Sequence, residues 1–350
     1  MQSGKQISGI DGLKGLSALI IMWGHIAQPD FGHWNGKLWM PCLPQECVTL
    51  FGVITGFLAA TSILARQNKF SLGDYYVRRA RRICPLYYLY LCVVILLYIL
   101  LGRGEDIINV RLWSYVFLSG EIPFSAGNGI LPLVHLWYIG DIVLFYLLFP
   151  VVCKVAKRRL MVTCLLICTF SCCLKFGLYL CGGHNLAYRL VSVLRTDSFW
   201  LGSIVGILYS QKNKIMNTIA NSKLFLIVSG TLFLLSGVYG SYVPAPIRIE
   251  FFSVIYALLV ISITGNIPLK TKLLDNRIMV SLGNMSYGLY VIHPIVIILC
   301  SMVFLSLRLV CTNFLTSLCI IVMISLISVI LAMLSSKFIE NSFSRKTMTR

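Results

Sequence analysis

Long unbroken apolar runs constrain this chain more than any other feature. Stretches such as 83–101, 160–180, 285–307 and 314–335 each hold about twenty mostly apolar residues. That is the length a helix needs to cross the roughly 30 Å hydrocarbon core of a bilayer. Ten segments are long or apolar enough to span: 8–28, 47–65, 83–101, 135–153, 160–180, 195–210, 224–242, 249–266, 285–307 and 314–335. The first and sixth are the least apolar. A transmembrane β-barrel would show shorter alternating segments instead. Composition agrees, with 58% hydrophobic and only 12% charged residues, where a soluble domain has about a quarter charged. The expectation is an all-α polytopic membrane protein of about ten spans. Residues 1–350 read as a single membrane domain, without a soluble domain, repeat, low-complexity tract or cleavable signal.

The net charge of +18 would suggest a nucleic-acid partner in a soluble protein. Here the cations sit in short loops between apolar runs, so membrane topology accounts for them and no nucleic acid is expected. An even number of spans puts both termini on one side. With the N-terminus inside, 22 of the 30 Lys and Arg fall in cytoplasmic segments and seven outside, with Lys175 within the fifth span. Both termini are therefore expected in the cytoplasm. Two outer loops are long, 28–46 and 102–134, and the second contains RLWSYVFLSG, too short to span. It is expected to lie in the interface or re-enter. The loop tryptophans and tyrosines fit an aromatic belt better than a carbohydrate platform.

Most of the 13 cysteines lie in apolar runs and behave as small hydrophobes. None has metal-site spacing, so no metal is expected. Cys42 and Cys47 share an outer loop, where a disulfide is chemically allowed.

Ionisable residues inside apolar segments are costly and point to function or to polar helix contacts. The first segment, IDGLKGLSALIIMWGHIA, holds Asp11, Lys14 and His25. On a helix Lys14 and His25 lie within about 20° of one face and about 16 Å apart, with Asp11 one turn below Lys14. This suits an intramembrane site. The bland alternative makes Lys14 an interfacial snorkeller and His25 a packed polar residue. In YYVRRARRICPLYYLY, Arg78, Arg79, Arg81 and Arg82 precede an apolar run with Pro85 near its start. Arginines at a helix N-terminus suit a phosphate, through guanidinium forks and free amides together. The alternative is a topology anchor or a grip on anionic lipid headgroups. HLWYIGDIVLFYLLFP places His135 at the outer face and Asp141 deeper. A buried Asp needs a proton or a cation, or serves as a polar contact between helices. His293 precedes Pro294 in SYGLYVIHPIVII. Pro294 frees a carbonyl one turn earlier, which His293 is placed to bond.

Taken together these stretches resemble the acyltransferase 3 family of integral membrane acyltransferases. IDGLKGLSALIIMWGH is similar to its opening motif, a cation followed by His, with Lys14 and His25 in those places and Asp11 and Gly12 before them. VTLFGVITGFL is similar to its second-span motif, with Gly52 and Thr55 as departures. RRARRICPLYY is similar to Arg-x-x-Arg-Ile-x-Pro, at Arg79, Arg82, Ile83 and Pro85. The fourth motif is represented by His135, Trp137, Phe145 and Tyr146, and the next by Arg195, Phe199 and Gly202. GNMSYGLYVIHP matches a late motif at Ser286, Tyr287, His293 and Pro294. FIENSF resembles a terminal Glu-x-Pro-Phe element, with Ser342 where Pro is usual. One departure matters: many members carry Glu-Glu-Gln where this chain has Ile142, Val143 and Leu144, and Asp141 is one residue off.

The resemblance implies transfer of an acyl group, most often acetyl, from acetyl-CoA to a hydroxyl of an envelope carbohydrate, expected to be lipid-linked. It implies a multi-pass protein of the bacterial inner membrane, in contact with membrane lipid, with acyl-CoA as substrate and no bound cofactor. His25, Lys14 and Asp11 would form the catalytic group. Arg78, Arg79, Arg81 and Arg82 would hold the donor, and His135, Trp137, Asp141, Arg195, Tyr287 and His293 would support it. The competing reading is a transporter or flippase of an envelope lipid or small anion, which ten spans with buried Asp, Lys and His also suit. A catalytically dead subunit fits less well, because the motif His and both motif Arg are present.

Overall fold

The computed structural model describes residues 7–28, 34, 44–66, 70–109, 111–183, 185–309 and 313–345. Cys42 lies outside them, and with it the expected bridge to Cys47, as does nearly all of loop 28–46. The described residues are helical, with no strand among them. Ten main helices are α1 (Ile10–Ala27), α2 (Pro44–Leu64), α3 (Leu72–Leu100), α4 (Trp137–Ala156), α5 (Leu160–Gly182), α6 (Thr196–Ser210), α7 (Lys223–Tyr239), α8 (Ala245–Ile263), α9 (Ser286–Ser306) and α10 (Phe314–Ser335). Among the described residues seven helical stretches are long and apolar enough to cross a membrane, or eight if the bent pair Lys214–Ala220 and Lys223–Tyr239 is one span.

α3 differs from its sequence reading. It begins at Leu72 rather than near residue 83. Ser71 caps it, accepting from the Asp74 amide at 3.3 Å, and Asp74 complements the dipole in the first turn. Arg78 to Arg82 therefore lie well inside the helix, where their amides are committed to intrahelical bonds. Any anion they hold is held by guanidinium groups, not by a helix N-terminus. Pro85 is likewise internal, and its missing N–H leaves the Arg81 carbonyl without a helical donor.

The chain forms two compact units. The first comprises 1–17, 45–75 and 141–284. Within it α5 packs on α6, α7 on α8, and α6 on α8. α2 crosses α6 through small residues: a Cβ at Gly56 would lie 1.9 Å from the Phe199 carbonyl oxygen, and one at Gly202 2.0 Å from that of Val53. Such backbone approach is what drives helix pairing where lipid removes the hydrophobic drive. Phe145 stacks on Phe149 and Phe199, with Trp200 edge-on. A buried ion network joins three helices: Lys175 of α5 lies 3.3 Å from Asp197 of α6 and 2.5 Å from Glu250 of α8.

The second unit comprises 18–44, 76–140 and 285–350. α9 and α10 pack along their lengths. The stretch 102–134 folds as short helices, Gly104–Asn109, Leu112–Val116 and Glu121–Ser125, none long enough to span. Tyrosines of α3 hold it: Tyr87 donates to the Tyr115 carbonyl at 2.8 Å, and Tyr90 to that of Pro132 at 3.0 Å. Burial pushes the Glu121 carboxyl up from its ordinary range.

Candidate active site

A group of chemistry-bearing side chains centred on two histidines belongs to the second unit. His25 sits near the end of α1, and its Nδ1 lies 2.7 Å from Nε2 of His293 on α9, with the two rings nearly parallel. His293 Nδ1 is 2.9 Å from the Leu289 carbonyl. A carbonyl only accepts, so this nitrogen carries a proton and donates it. His293 is 1% exposed, and it faces backbone carbonyls and aromatic rings, which offer an imidazolium no counter-charge. A buried charge without a partner is disfavoured, so the ring is neutral and its Nε2 accepts. His25 Nδ1–H is then the donor, which places the lone pair of a neutral His25 on Nε2.

Local sequence explains how His293 comes to be held. Pro294 lies inside α9 and cannot bond the Tyr290 carbonyl. His293 turns back along the helix to the Leu289 carbonyl and also interacts with the freed backbone at Tyr290. Tyr290 donates its hydroxyl to the His135 carbonyl, and His135 Nε2 donates to the Val291 carbonyl at 3.2 Å. The His135 ring meets His293 edge-on at 5.7 Å and Tyr90 at 5.6 Å. Trp137 stacks on Phe124 at 5.0 Å.

The arginine turn belongs to the same unit and is tied to the same helix. Tyr287 of α9 donates to the Ile83 carbonyl of α3 at 2.7 Å. Next to it, Arg82 Nη1 lies 3.1 Å from a carboxylate oxygen of Glu340. Arg78, Arg79 and Arg81 are partly exposed on the same stretch of α3. From Tyr287 to His293 is six residues, about 9 Å of helical rise. α9 thus touches the arginine turn at one level and His25 at another.

The remaining sequence-derived residues belong to the first unit. Asp11 and Lys14 pair at 2.5 Å on α1. Asp275 accepts from the Gly9 amide at 2.5 Å, satisfying a donor at the start of that helix. Asp141 is buried. Arg195 donates to the Thr49 hydroxyl at 2.8 Å. Three features escaped the sequence reading. Glu340 was visible only as part of the terminal element, with no partner to suggest a role. Tyr290 was one tyrosine among 17. The joining of Lys175 with Asp197 and Glu250 spans three helices, and no local spacing encodes it.

A family model described as an acyltransferase domain, acyltransferase 3, matches residues 7–334. The chain belongs to the acyltransferase 3 family. It is similar to the O-acetyltransferase OatA of Staphylococcus aureus, at 26% identity over 326 residues, covering 85% of this chain and 52% of OatA. It is also 26% identical over 326 residues to the putative peptidoglycan O-acetyltransferase YrhL of Bacillus subtilis, covering 85% of this chain and 50% of YrhL. The chain spans about half the length of these curated relatives. No solved structure matches it. The acyltransferase 3 match takes in the whole of α1 to α9 and nearly all of α10, and so both histidines and the arginine turn.

Proposed function

We propose that this chain is an O-acyltransferase, moving an acetyl or similar acyl group from acyl-CoA to a hydroxyl of an envelope carbohydrate, lipid-linked where it meets the enzyme. The observation that carries this reading is the His25–His293 pair, which directs a basic lone pair of His25 away from its partner. A hydroxyl is a poor nucleophile near neutral pH and needs a base of about the strength of His. The acceptor hydroxyl gives its proton to His25 Nε2 as its oxygen attacks the thioester carbon. The C–O bond forms, the C–S bond breaks, and the imidazolium returns the proton to the leaving thiolate. The same lone pair also serves a covalent route, in which Nε2 takes the acyl group first and the hydroxyl attacks second. Arg78, Arg79, Arg81 and Arg82 are assigned to the donor phosphates, since guanidinium groups bind phosphate through paired donors. Lys14, oriented by Asp11, is assigned to an anionic group of the donor. The acetyl group and the carbohydrate class are supported by what the relatives OatA and YrhL are named for.

We read the chain as one acyltransferase domain crossing the bacterial inner membrane ten times, with both termini cytoplasmic. The stretch 134–182 holds 49 residues, about 74 Å as a helix and too long for one crossing. It is broken at Lys157–Arg159, where Lys157 has a left-handed φ of 46°. Counting it as two crossings, the bent pair as one and the more polar α1 as one gives ten. The excess of cations on one side supports the orientation.

The test is to supply the purified full chain in proteoliposomes with acetyl-labelled acetyl-CoA and a carbohydrate acceptor. The reading expects free CoA and label covalently bound to acceptor hydroxyls, released by mild base. Solute crossing the bilayer unchanged, with no CoA released, would instead support a transporter.

A further inference from the structure

We propose that Glu340 is a positioning residue for the acyl-CoA donor, acting through Arg82; this rests on the assignment of Arg82 to the donor phosphates. The buried positions of α10 are Ser317, Ile320, Ile324, Ser328, Ala332 and Ser335, spaced three or four apart as one helical face requires. Continued as an α-helix, that face would next take residue 338 or 339. Phe338 is instead 62% exposed. The chain passes into a π-helical turn over Ser336–Glu340, whose wider i to i+5 step sets Glu340, five residues after Ser335, on the buried face. The turn has a consequence for charge. It puts a carboxylate with 0% exposure 3.1 Å from Arg82, which is itself 37% exposed.

Gly288 of α9 leaves the room: a Cβ there would come within 2.9 Å of Glu340 Oε1. The pair is one-sided: the Glu340 side chain is enclosed in protein, while that of Arg82 is partly exposed. A guanidinium carries five N–H donors in a rigid plane, so a carboxylate on one edge fixes how the other edge is presented. Holding a flexible arginine in its binding geometry lowers the ordering cost of the ligand it meets. An anchor that merely pinned the end of α10 would not need the exposed partner to be an arginine of the donor-binding turn.

The experiment measures CoA release by the purified full chain over a range of acetyl-CoA concentrations, for wild type, R82Q, E340Q, E340D and the R82Q/E340Q double variant. E340Q is expected to raise KM for acetyl-CoA about tenfold, the effect of mis-setting one charge-assisted contact, with kcat within about twofold. E340D, which keeps the charge, should recover part of the loss. R82Q should raise KM at least as much, and E340Q should add little in its presence, because both act through one contact. A raised KM in R82Q with an unchanged KM in E340Q removes the role of Glu340 and leaves that of Arg82. Penalties that multiply in the double variant, or a loss in E340Q that falls on kcat alone, also overturn the inference. An unchanged KM in R82Q overturns the donor assignment itself, and this inference with it.

Discussion

Both units bury ionisable side chains in apolar helices, and they manage the cost in opposite ways. In the first unit Lys175 sits between Asp197 and Glu250, so a buried cation is set against two carboxylates. In the second, His25 and His293 bond to each other, and His293 is in turn held by the Leu289 carbonyl. An ion network of this kind is a structural solution: its opposite charges offset one another, and removing the shared cation strands the carboxylates. In the histidine pair the direction of the bond, from His25 Nδ1–H to His293 Nε2, sets the tautomer of His25. Polar groups at membrane depth are therefore not equal evidence of catalysis; what distinguishes these two sets is whether they offset one another's charge or fix the tautomer of a histidine.

That comparison can be broken experimentally. The largest effect is expected from His25→Ala, which should cut acyl transfer by roughly 10²- to 10⁴-fold, the usual share of a general base, while the protein extracts and migrates as wild type. Near-wild-type turnover would return His25 to the class of packed polar residues. Next, Lys175→Met should destabilise the protein by about 3–5 kcal/mol, because two carboxylates lose their buried partner. Adding Asp197→Asn and Glu250→Gln should recover much of it in a thermal or denaturant melt. If the triple variant melts normally but has lost transfer, the first unit's network is more than structural. Tyr287→Phe removes one hydrogen bond to the arginine turn and should cost about 1 kcal/mol, read as a small fall in melting temperature. The smallest effect is expected at Glu121. Burial raises its carboxyl, so the folded state holds that proton more tightly than the unfolded chain, and stability is lost as pH rises through the raised value. Glu121→Gln should melt slightly higher than wild type at neutral pH and the same as wild type below the ordinary carboxylate range.

Helix positions were legible in the sequence because the apolar runs are long and separated by polar loops: a main helix coincides with every one of the ten expected stretches. The start of α3 was misread, since hydropathy sees where the bilayer begins and not where the helix does. Ser71 and Asp74, a capping signal ahead of the arginines, carried the missing information. His25 and His293 each stood out as a histidine in an apolar run, 268 residues apart. Nothing in either stretch revealed that they bond to each other, because that depends on how α1 and α9 pack. The direction of their hydrogen bond depends further on the Leu289 carbonyl, a backbone group present at every position. Glu340 was hidden for a related reason: a three-to-four periodicity puts it off the buried face, and only the π turn brings it in.

In the proposed mechanism His293 sets the tautomer of His25, and one pair of variants tests this most directly. His293→Leu removes the acceptor for His25 Nδ1–H, whereas His293→Gln offers an amide oxygen in its place. With the purified full chain and acetyl-CoA as donor, His293→Leu should lower kcat by about 10²-fold with KM within about twofold. His293→Gln should retain at least about tenfold more activity than His293→Leu. Equal activity in the two variants, or a loss that falls on KM alone, would contradict the claim.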